Sequence, residues 1–131
     1  MATGFRQTCT LPASPKEVYA ALMDSRKHRA FTGESASISK RVGGTFTAYG
    51  DYASGKNLAL VANKKIVQSW RGSDWPEGQY SKVTYVLKAV KGGTKLTFTQ
   101  SGVPPSQLKE IKKGWGEFYW KPLADWLKKR R

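Results

Sequence analysis

The fold is decided by residues 105–131, PSQLKEIKKGWGEFYWKPLADWLKKRR. At about 100° per residue, a single broad arc of this segment is apolar. The arc contains Leu108, Ile111, Trp115, Phe118, Tyr119, Leu123 and Trp126. The charged side chains fall outside it, which predicts an amphipathic helix over Pro105–Arg131 with Ser106 as its cap and a kink near Phe118 caused by Pro122. Each large ring buries about 150–250 Å², so the helix needs a cover, and we predict that an antiparallel sheet provides it.

The residues before this helix predict that sheet. Alternating side chains over Phe5–Leu11 indicate a first strand. Two short helices follow: the first opens with the capping box Ser14-Pro15-Lys16-Glu17, and the second, Arg26–Thr32, begins at Asp24 or Ser25 and ends at Gly33.

Further strands are predicted around Ile38, at Thr45–Tyr49, Leu58–Ala62, Lys65–Arg71 and Tyr80–Val90, and around Leu96 and Phe98. Turns are predicted at Gly43-Gly44, Ser54-Gly55, Asn63-Lys64 and Gly92-Gly93. The predicted class is α+β.

Length and composition limit the class of protein. The 131 residues suit one domain, 1-131, and a net charge of +14 favours an acidic partner. A single cysteine, Cys9, excludes an internal disulfide and is consistent with a reducing compartment. No apolar run approaches the roughly 20 residues of a membrane span, and the N-terminal residues do not resemble a signal peptide. We therefore expect a cytoplasmic monomer without a membrane span.

Residues suited to catalysis or metal binding are sparse. His28 is the only histidine, and its basic neighbours favour a surface position on a solvated helix. One histidine and one cysteine do not make a zinc site, and the nine acidic residues show no paired arrangement for acid–base work. The basic runs are scattered and the aromatic residues lie on periodic apolar faces. We therefore expect no enzyme, no catalytic residues, no metal, no cofactor and no specific nucleic acid.

The most distinctive loop contains two tryptophans close together. Trp70 and Trp75 lie in the segment 69–80, SWRGSDWPEGQY, beside a proline and two glycines. This composition indicates a fixed corner packed by rings at the open end of the sheet. We predict that Trp70 caps the core. Trp75 has two equal interpretations: it closes one end of the space under the helix, or it contacts a partner directly.

Several short motifs extend beyond this loop. They are Trp70-Arg71, Trp75-Pro76-Glu77-Gly78, Gly102-Val103-Pro104 and Gly114-Trp115 with Tyr119, and upstream Ser14-Pro15-Lys16-Glu17-Val18-Tyr19 and Gly43-Gly44-Thr45-Phe46. Together they resemble the activator of heat shock protein 90 ATPase family, more narrowly its C-terminal domain, over Thr10–Leu127. The resemblance implies the helix-grip fold of the START-like, birch-pollen-allergen-like superfamily. In that fold a curved antiparallel sheet of about six or seven strands wraps a long C-terminal helix, with two short helices after the first strand.

The resemblance also implies a function without enzymatic activity. Members bind the heat shock protein 90 chaperone (Hsp90) and stimulate its ATPase, and a basic domain suits an acidic chaperone surface. The partner-binding candidates are Arg71, Trp75, Pro76, Glu77, Lys109 and Lys113. The alternative is a START-like carrier that holds an apolar small molecule between sheet and helix. Its lining candidates, which are large enough to fill that space instead, are Phe31, Phe46, Trp70, Trp75, Tyr85, Phe98, Trp115 and Tyr119.

Overall fold

Seven antiparallel strands form one sheet in the order β1-β7-β6-β5-β4-β3-β2. The computed structural model describes residues 3–129, so Arg130 and Arg131 of the predicted helix lie outside the described residues. The elements before the C-terminal helix are β1 (Thr3–Leu11), α1 (Pro15–Met23), α2 (Ser25–Thr32), β2 (Ser37–Ile38), β3 (Thr45–Ala48), β4 (Ala53–Val61), β5 (Lys65–Gly72), β6 (Ser81–Val90) and β7 (Gly93–Val103). A 3₁₀ turn (Pro105–Gln107), α3 (Leu108–Trp115), a π turn (Gly116–Trp120) and α4 (Lys121–Lys129) then make up the C-terminal helix. The predicted α+β helix-grip architecture is confirmed.

The two short helices begin where the sequence predicts. The Ser14 Oγ accepts from the Glu17 N–H at 3.3 Å, as in a capping box, and donates to the Glu17 carboxylate at 3.2 Å. Asp24 caps α2 by accepting from the Arg26 and Lys27 amides. Gly33 ends α2 with φ +80°, a left-handed conformation that glycine adopts at little cost.

The path between β3 and β4 corrects one prediction. β4 begins at Ala53, so the predicted turn at Ser54-Gly55 is wrong; the chain turns earlier, at Tyr49 (φ 56°) and Gly50 (φ 69°). Gly55 pairs with Phe46 inside the sheet. A Cβ at Gly55 would collide with the backbone carbonyl of Ser69, so this glycine permits a close approach of two strands.

A π turn interrupts the C-terminal helix and changes which side chains face the sheet. The Lys121 N–H bonds to the carbonyl of Gly116, five residues earlier. Trp120 is buried, whereas Phe118 is 50% exposed, so the prediction that Phe118 lies on the inner arc is wrong. The π turn lies where the kink was predicted, near Phe118, and it ends two residues before Pro122. Ser106 does not cap the helix, because it lies within the 3₁₀ turn.

Gln7 of β1 ties the first strand to this interrupted helix. Its Nε2 donates to the backbone carbonyl of Lys112 at 2.8 Å. Its Oε1 accepts from the Trp120 Nε1–H, also at 2.8 Å. The Gly116 N–H at the end of α3 bonds to the carbonyl of Lys113, and Gln7 gives the neighbouring Lys112 carbonyl a donor beside the π turn.

We expect Gln7→Leu to lower the free energy of unfolding by about 1–2 kcal/mol, because two polar groups lose their partner. Chemical denaturation measures the difference. Thr8→Ala, at the next residue of β1, is the matched control, since Thr8 is exposed and should change stability by less than about 0.5 kcal/mol. Equal stability of Gln7→Leu and the native protein would contradict a structural role for this bridge.

Between residues 3 and 129, the structure contains no helix long and apolar enough to cross a lipid bilayer.

Candidate functional site

Aromatic rings fill the space between the sheet and the C-terminal helix. The Trp115 ring centroid lies 4.3 Å from that of Phe98 and 4.6 Å from that of Tyr119. Trp115 and Trp120 stack at 5.4 Å with an interplanar angle of 19°. The Trp115 Nε1–H donates to the Gln100 Oε1 at 2.8 Å. The helix is therefore held to β7 by ring packing and by a buried hydrogen bond.

The predicted lining residues are buried, and the space enclosed among them is very small. All eight are buried: Phe31, Phe46, Trp70, Trp75, Tyr85, Phe98, Trp115 and Tyr119. The cavity between His28, Phe46, Tyr85 and Tyr119 has a volume of about 10 Å³, about the room that a single water requires. Sites for small molecules have volumes of about 300–1,000 Å³. This arrangement favours the filled core over the enclosed pocket of a carrier.

His28 lies in this core, so the prediction of a surface position is wrong. The side chain is 4% exposed. Its Nδ1 lies 3.2 Å from the carbonyl oxygen of Leu22, and its Nε2 lies 3.0 Å from the hydroxyl of Tyr119. Because a carbonyl only accepts, Nδ1 carries the proton and Nε2 accepts from Tyr119. Burial lowers the pKa of His28 from 6.5 to about 4. The basic neighbours misled the sequence-based prediction because α2 turns this one side chain inward.

The tryptophan loop is held in place from inside the protein. Trp75 is 4% exposed and packs against Trp70 at 5.4 Å between ring centroids. An Arg71 Nη2 donates to the carbonyl of Trp75 at 2.7 Å, and the guanidinium lies 5.9 Å from the Tyr80 ring centroid. Of the two interpretations of Trp75, burial favours the one in which it closes an end of the core. Pro76 and Glu77 remain exposed on the loop.

A wide groove opens between the tryptophan loop, the turn after β3 and the C-terminal helix. Its volume is about 420 Å³. Its floor and walls are mainly aromatic. We call it the aromatic groove and define it by Tyr49, Tyr52, Ala53, Trp70, Asp74, Gln107, Glu110, Ile111, Lys113, Gly114, Trp115, Glu117, Phe118 and Tyr119. Of the predicted lining residues, Trp70, Trp115 and Tyr119 reach it.

The rim of the aromatic groove has the opposite charge from the protein as a whole. Asp74, Glu110 and Glu117 line it, and among residues 3–129 Lys113 is the only cation that does. The Lys113 Nζ lies 3.7 Å from a Glu117 carboxylate oxygen. Burial raises the pKa of Tyr52 to about 12, and the carboxylates of Asp74 and Glu110 contribute to that rise. Three of the chain's nine acidic residues thus meet at one groove of a protein with 23 Lys and Arg.

Sequence reasoning missed this groove because its members come from three separate segments. One signal was present: Glu110 and Glu117 are seven residues apart, a spacing that puts both on the same helix face, and Gly114 lies between them.

The outer face of the sheet is basic. In β6 the residues Val83, Tyr85 and Leu87 are buried, whereas Lys82 and Lys88 are exposed. Cross-strand pairing extends that outward row: Lys88 opposes Lys95, and Lys65 opposes Val86. We define the outer basic face as Arg6, Lys65, Lys82, Lys88 and Lys95. Strands β1, β5, β6 and β7 contain no Asp or Glu, so nothing on these strands neutralises it.

Lys109 and Lys113 are exposed on α3. Within residues 3–129, no three or more His, Cys, Asp and Glu side chains are grouped so that they could hold a metal ion.

Comparison with known proteins gives related sequences and structures. The family model described as "Activator of Hsp90 ATPase homolog 1-like protein" matches residues 12–128. The human "Activator of 90 kDa heat shock protein ATPase homolog 1" is 30% identical over 114 residues, which are 87% of this chain and 34% of the human protein. The Dictyostelium discoideum homologue is 33% identical over 103 residues, 78% of this chain and 27% of that protein. The chain therefore spans about a third of the length of these curated relatives.

Among solved structures, the crystal structure of PFC0360w, an HSP90 activator from Plasmodium falciparum, superposes with a TM-score of 0.84 at 27% identity. The match covers 88% of this chain and 89% of that one. Protein MLL2253 from Mesorhizobium loti gives the same TM-score at 22% identity over 98% of this chain and 99% of that one, which shows a shared fold.

Proposed function

Because the chain belongs to the family of Activator of Hsp90 ATPase homolog 1-like proteins, we propose that it binds Hsp90 and stimulates the chaperone's ATPase. The observation that carries the proposal is the likeness to the Plasmodium falciparum HSP90 activator, which extends over nearly the whole of both chains. The filled core adds support, because the enclosed space of about 10 Å³ is too small for a carried ligand.

The proposed activity has a physical requirement. A binder that acts by shifting the chaperone's conformations raises the rate of ATP hydrolysis only if it has a higher affinity for the ATPase-competent conformation than for the others. Binding alone is therefore weaker evidence than binding together with faster hydrolysis, and the two must be measured separately.

We propose the outer basic face as the docking surface for an acidic region of the chaperone. Lys88 and Lys95 lie directly opposite each other across β6 and β7. Like charges in such a pair destabilise a sheet, and an acidic partner would relieve that repulsion. The exposed residues Pro76, Glu77, Lys109 and Lys113 form the second candidate surface, while Arg71 and Trp75 shape the loop that carries the first two.

The test is a titration of the protein against purified Hsp90 with ATP, following binding by calorimetry and ATP turnover by phosphate release. We expect Lys88→Glu/Lys95→Glu to weaken binding at least about tenfold at low salt, because attraction becomes repulsion. Lys16→Glu/Lys121→Glu is the matched control: both lysines are exposed, lie off the sheet and give the same change in net charge.

Other outcomes separate the parts of the proposal. Absence of binding by the native protein at low salt would end it. Loss of binding in Lys109→Glu/Lys113→Glu, with Lys88→Glu/Lys95→Glu unaffected, would move the docking surface to α3 and the tryptophan loop. Binding without any change in ATP turnover would reject the activator role for this chain while keeping the interaction.

A further inference from the structure

The aromatic groove has room for a small molecule and an acidic rim. The core lacks that room, and the outer face of the sheet is basic. The groove's volume of about 420 Å³ lies within the range of about 300–1,000 Å³ found for small-molecule sites. Trp70, Trp115 and Tyr119 are buried beneath it, whereas Phe118 stands half-exposed at its side. The groove therefore has a fixed aromatic floor, and the half-exposed Phe118 ring is available to a ligand that enters from solvent.

The wall formed by Tyr49 is conformationally unusual. Tyr49 has φ +56°, in the left-handed region that bulky residues rarely occupy. Its ring packs against Phe118 at 5.6 Å and against Tyr119 at 6.1 Å between centroids. Backbone conformations of this kind persist where surrounding structure enforces them and are concentrated at ligand sites. The turn thus places a ring at the groove at a conformational cost.

Gly114 keeps the groove open from the helix side. It lines the groove in the interior of the C-terminal helix, where glycine is about 1 kcal/mol less favourable than alanine. A Cβ at this position would lie 3.5 Å from the Phe118 ring, an ordinary contact. Backbone geometry therefore does not require glycine here, and what its small size preserves is space in the groove.

Charge complementarity identifies the occupant. Within the described part of the chain, the groove is lined by three carboxylates, those of Asp74, Glu110 and Glu117, and by one ammonium group, that of Lys113. Lys113 is paired with Glu117, which leaves Asp74 and Glu110 as the groove's net negative charge. Ring faces of tyrosine and tryptophan also attract cations. Anionic ligands, which the rest of the protein attracts, meet repulsion at this rim.

We propose that the aromatic groove is a binding site for small amphipathic amines, with the ammonium group near Asp74 and Glu110 and the apolar body against the exposed Phe118 ring, above the floor to which Trp115 contributes. This site is separate from the outer basic face and does not depend on the interaction with Hsp90.

The test uses three probes with the same phenyl body: 2-phenylethylammonium, 2-phenylethanol and 3-phenylpropionate. Binding to the whole chain is followed at low salt by NMR shifts of the amides of residues 114–119. We expect the ammonium probe to bind about tenfold more tightly than the alcohol, from the combined carboxylate and cation–π contributions, and the carboxylate to bind most weakly. A net charge of +14 by itself predicts the reverse order, so the ranking is decisive.

Variants locate the site. Glu110→Gln/Asp74→Asn should reduce the preference for ammonium over alcohol to about twofold or less, since the two carboxylates supply most of it and only the cation–π contribution remains. Asp125→Asn is the matched control, because Asp125 is exposed on α4 and does not line the groove. Gly114→Leu should abolish binding of all three probes by filling the groove, with circular dichroism checking that the fold is retained.

Several results would overturn the proposal. These are no binding of the ammonium probe, equal affinity for ammonium and alcohol, strongest binding of the carboxylate, and unchanged binding by folded Gly114→Leu. An unchanged preference in Glu110→Gln/Asp74→Asn would also reject the assigned role of these carboxylates.

Discussion

Trp115→Ala should lower the free energy of unfolding by about 3–5 kcal/mol, the range for removing a large buried ring. Trp115 is 3% exposed and lies within 5.6 Å, between ring centroids, of Phe98, Tyr119, Trp120 and Trp70. The substitution opens a cavity at this meeting point. It also leaves the Gln100 side chain without its indole donor. Urea denaturation, with the m-value fitted for each variant, measures the loss.

Two other variants separate the contributions at this position. Trp115→Phe keeps a ring but removes the hydrogen bond to Gln100, so we expect a smaller loss than in Trp115→Ala. Phe118→Ala removes a large ring from the same helix, but Phe118 is half-exposed, and the loss should be well below that of Trp115→Ala. If Trp115→Ala melted within a degree or two of the native protein, Trp115 would not belong to the core.

Stability should fall by about 3 kcal/mol between pH 6.5 and pH 4 because of His28. Burial lowers the pKa of His28 in the folded protein from 6.5 to about 4. Between these values the unfolded chain binds a proton on His28 and the folded chain does not. Since the unfolded state holds more protons there, acidification favours unfolding, and the contribution of His28 is complete above pH 6.5.

The measurement is the free energy of unfolding at intervals from pH 7.5 to pH 4. His28 is the only histidine, which assigns a decline that starts near pH 6.5 to this residue. The double variant His28→Phe/Tyr119→Phe removes the imidazole and the hydroxyl that bonds to it. Its stability at pH 7 will differ from that of the native protein, but the decline between pH 6.5 and pH 5 should disappear. An unchanged decline would contradict the assignment to His28.

Much of the fold was predictable because local chemistry and tertiary structure agree. Ser14 and Asp24 cap their helices by accepting hydrogen bonds from amides at most three residues away. Contacts over so short a distance can be predicted from the local sequence. The order of strands and helices follows from alternating and helical apolar periods. The turn predicted at Ser54-Gly55 is wrong because glycine is needed at position 55 for a different purpose, to let the backbone of Ser69 on another strand pass close by. A contact between residues so far apart in sequence leaves no local pattern.

The inner face of the helix was predicted only in part. Ile111, Trp115, Tyr119, Leu123 and Leu127 are all buried, a strict spacing of four residues. In a regular α-helix each step of four residues rotates about 40° beyond one full turn, so this row would drift around the helix. The π turn counters the drift, brings Trp120 inward and turns Phe118 outward. A sustained four-residue spacing was therefore the available signal for the π turn.

The candidate sites were harder to predict than the fold. The large rings were correctly expected to be together, but the sequence left open whether they surround or fill the space. The aromatic groove depends on Tyr49, Asp74 and Glu110 meeting from three segments, and the burial of His28 depends on a bond to Tyr119, 91 residues away. Such meetings depend on sheet curvature and helix phase, which local periodicity does not specify.

The parallel indoles of Trp115 and Trp120 provide a built-in optical reporter. They lie at the interface between the C-terminal helix and the sheet. Their environment is therefore fixed and asymmetric only while the helix is packed on the sheet. Near-ultraviolet circular dichroism is sensitive to fixed aromatic packing, whereas the far-ultraviolet signal follows the backbone. If the near-ultraviolet signal is lost before the far-ultraviolet signal, the protein passes through a state in which the helix is no longer packed on the sheet although helix and strands are still formed.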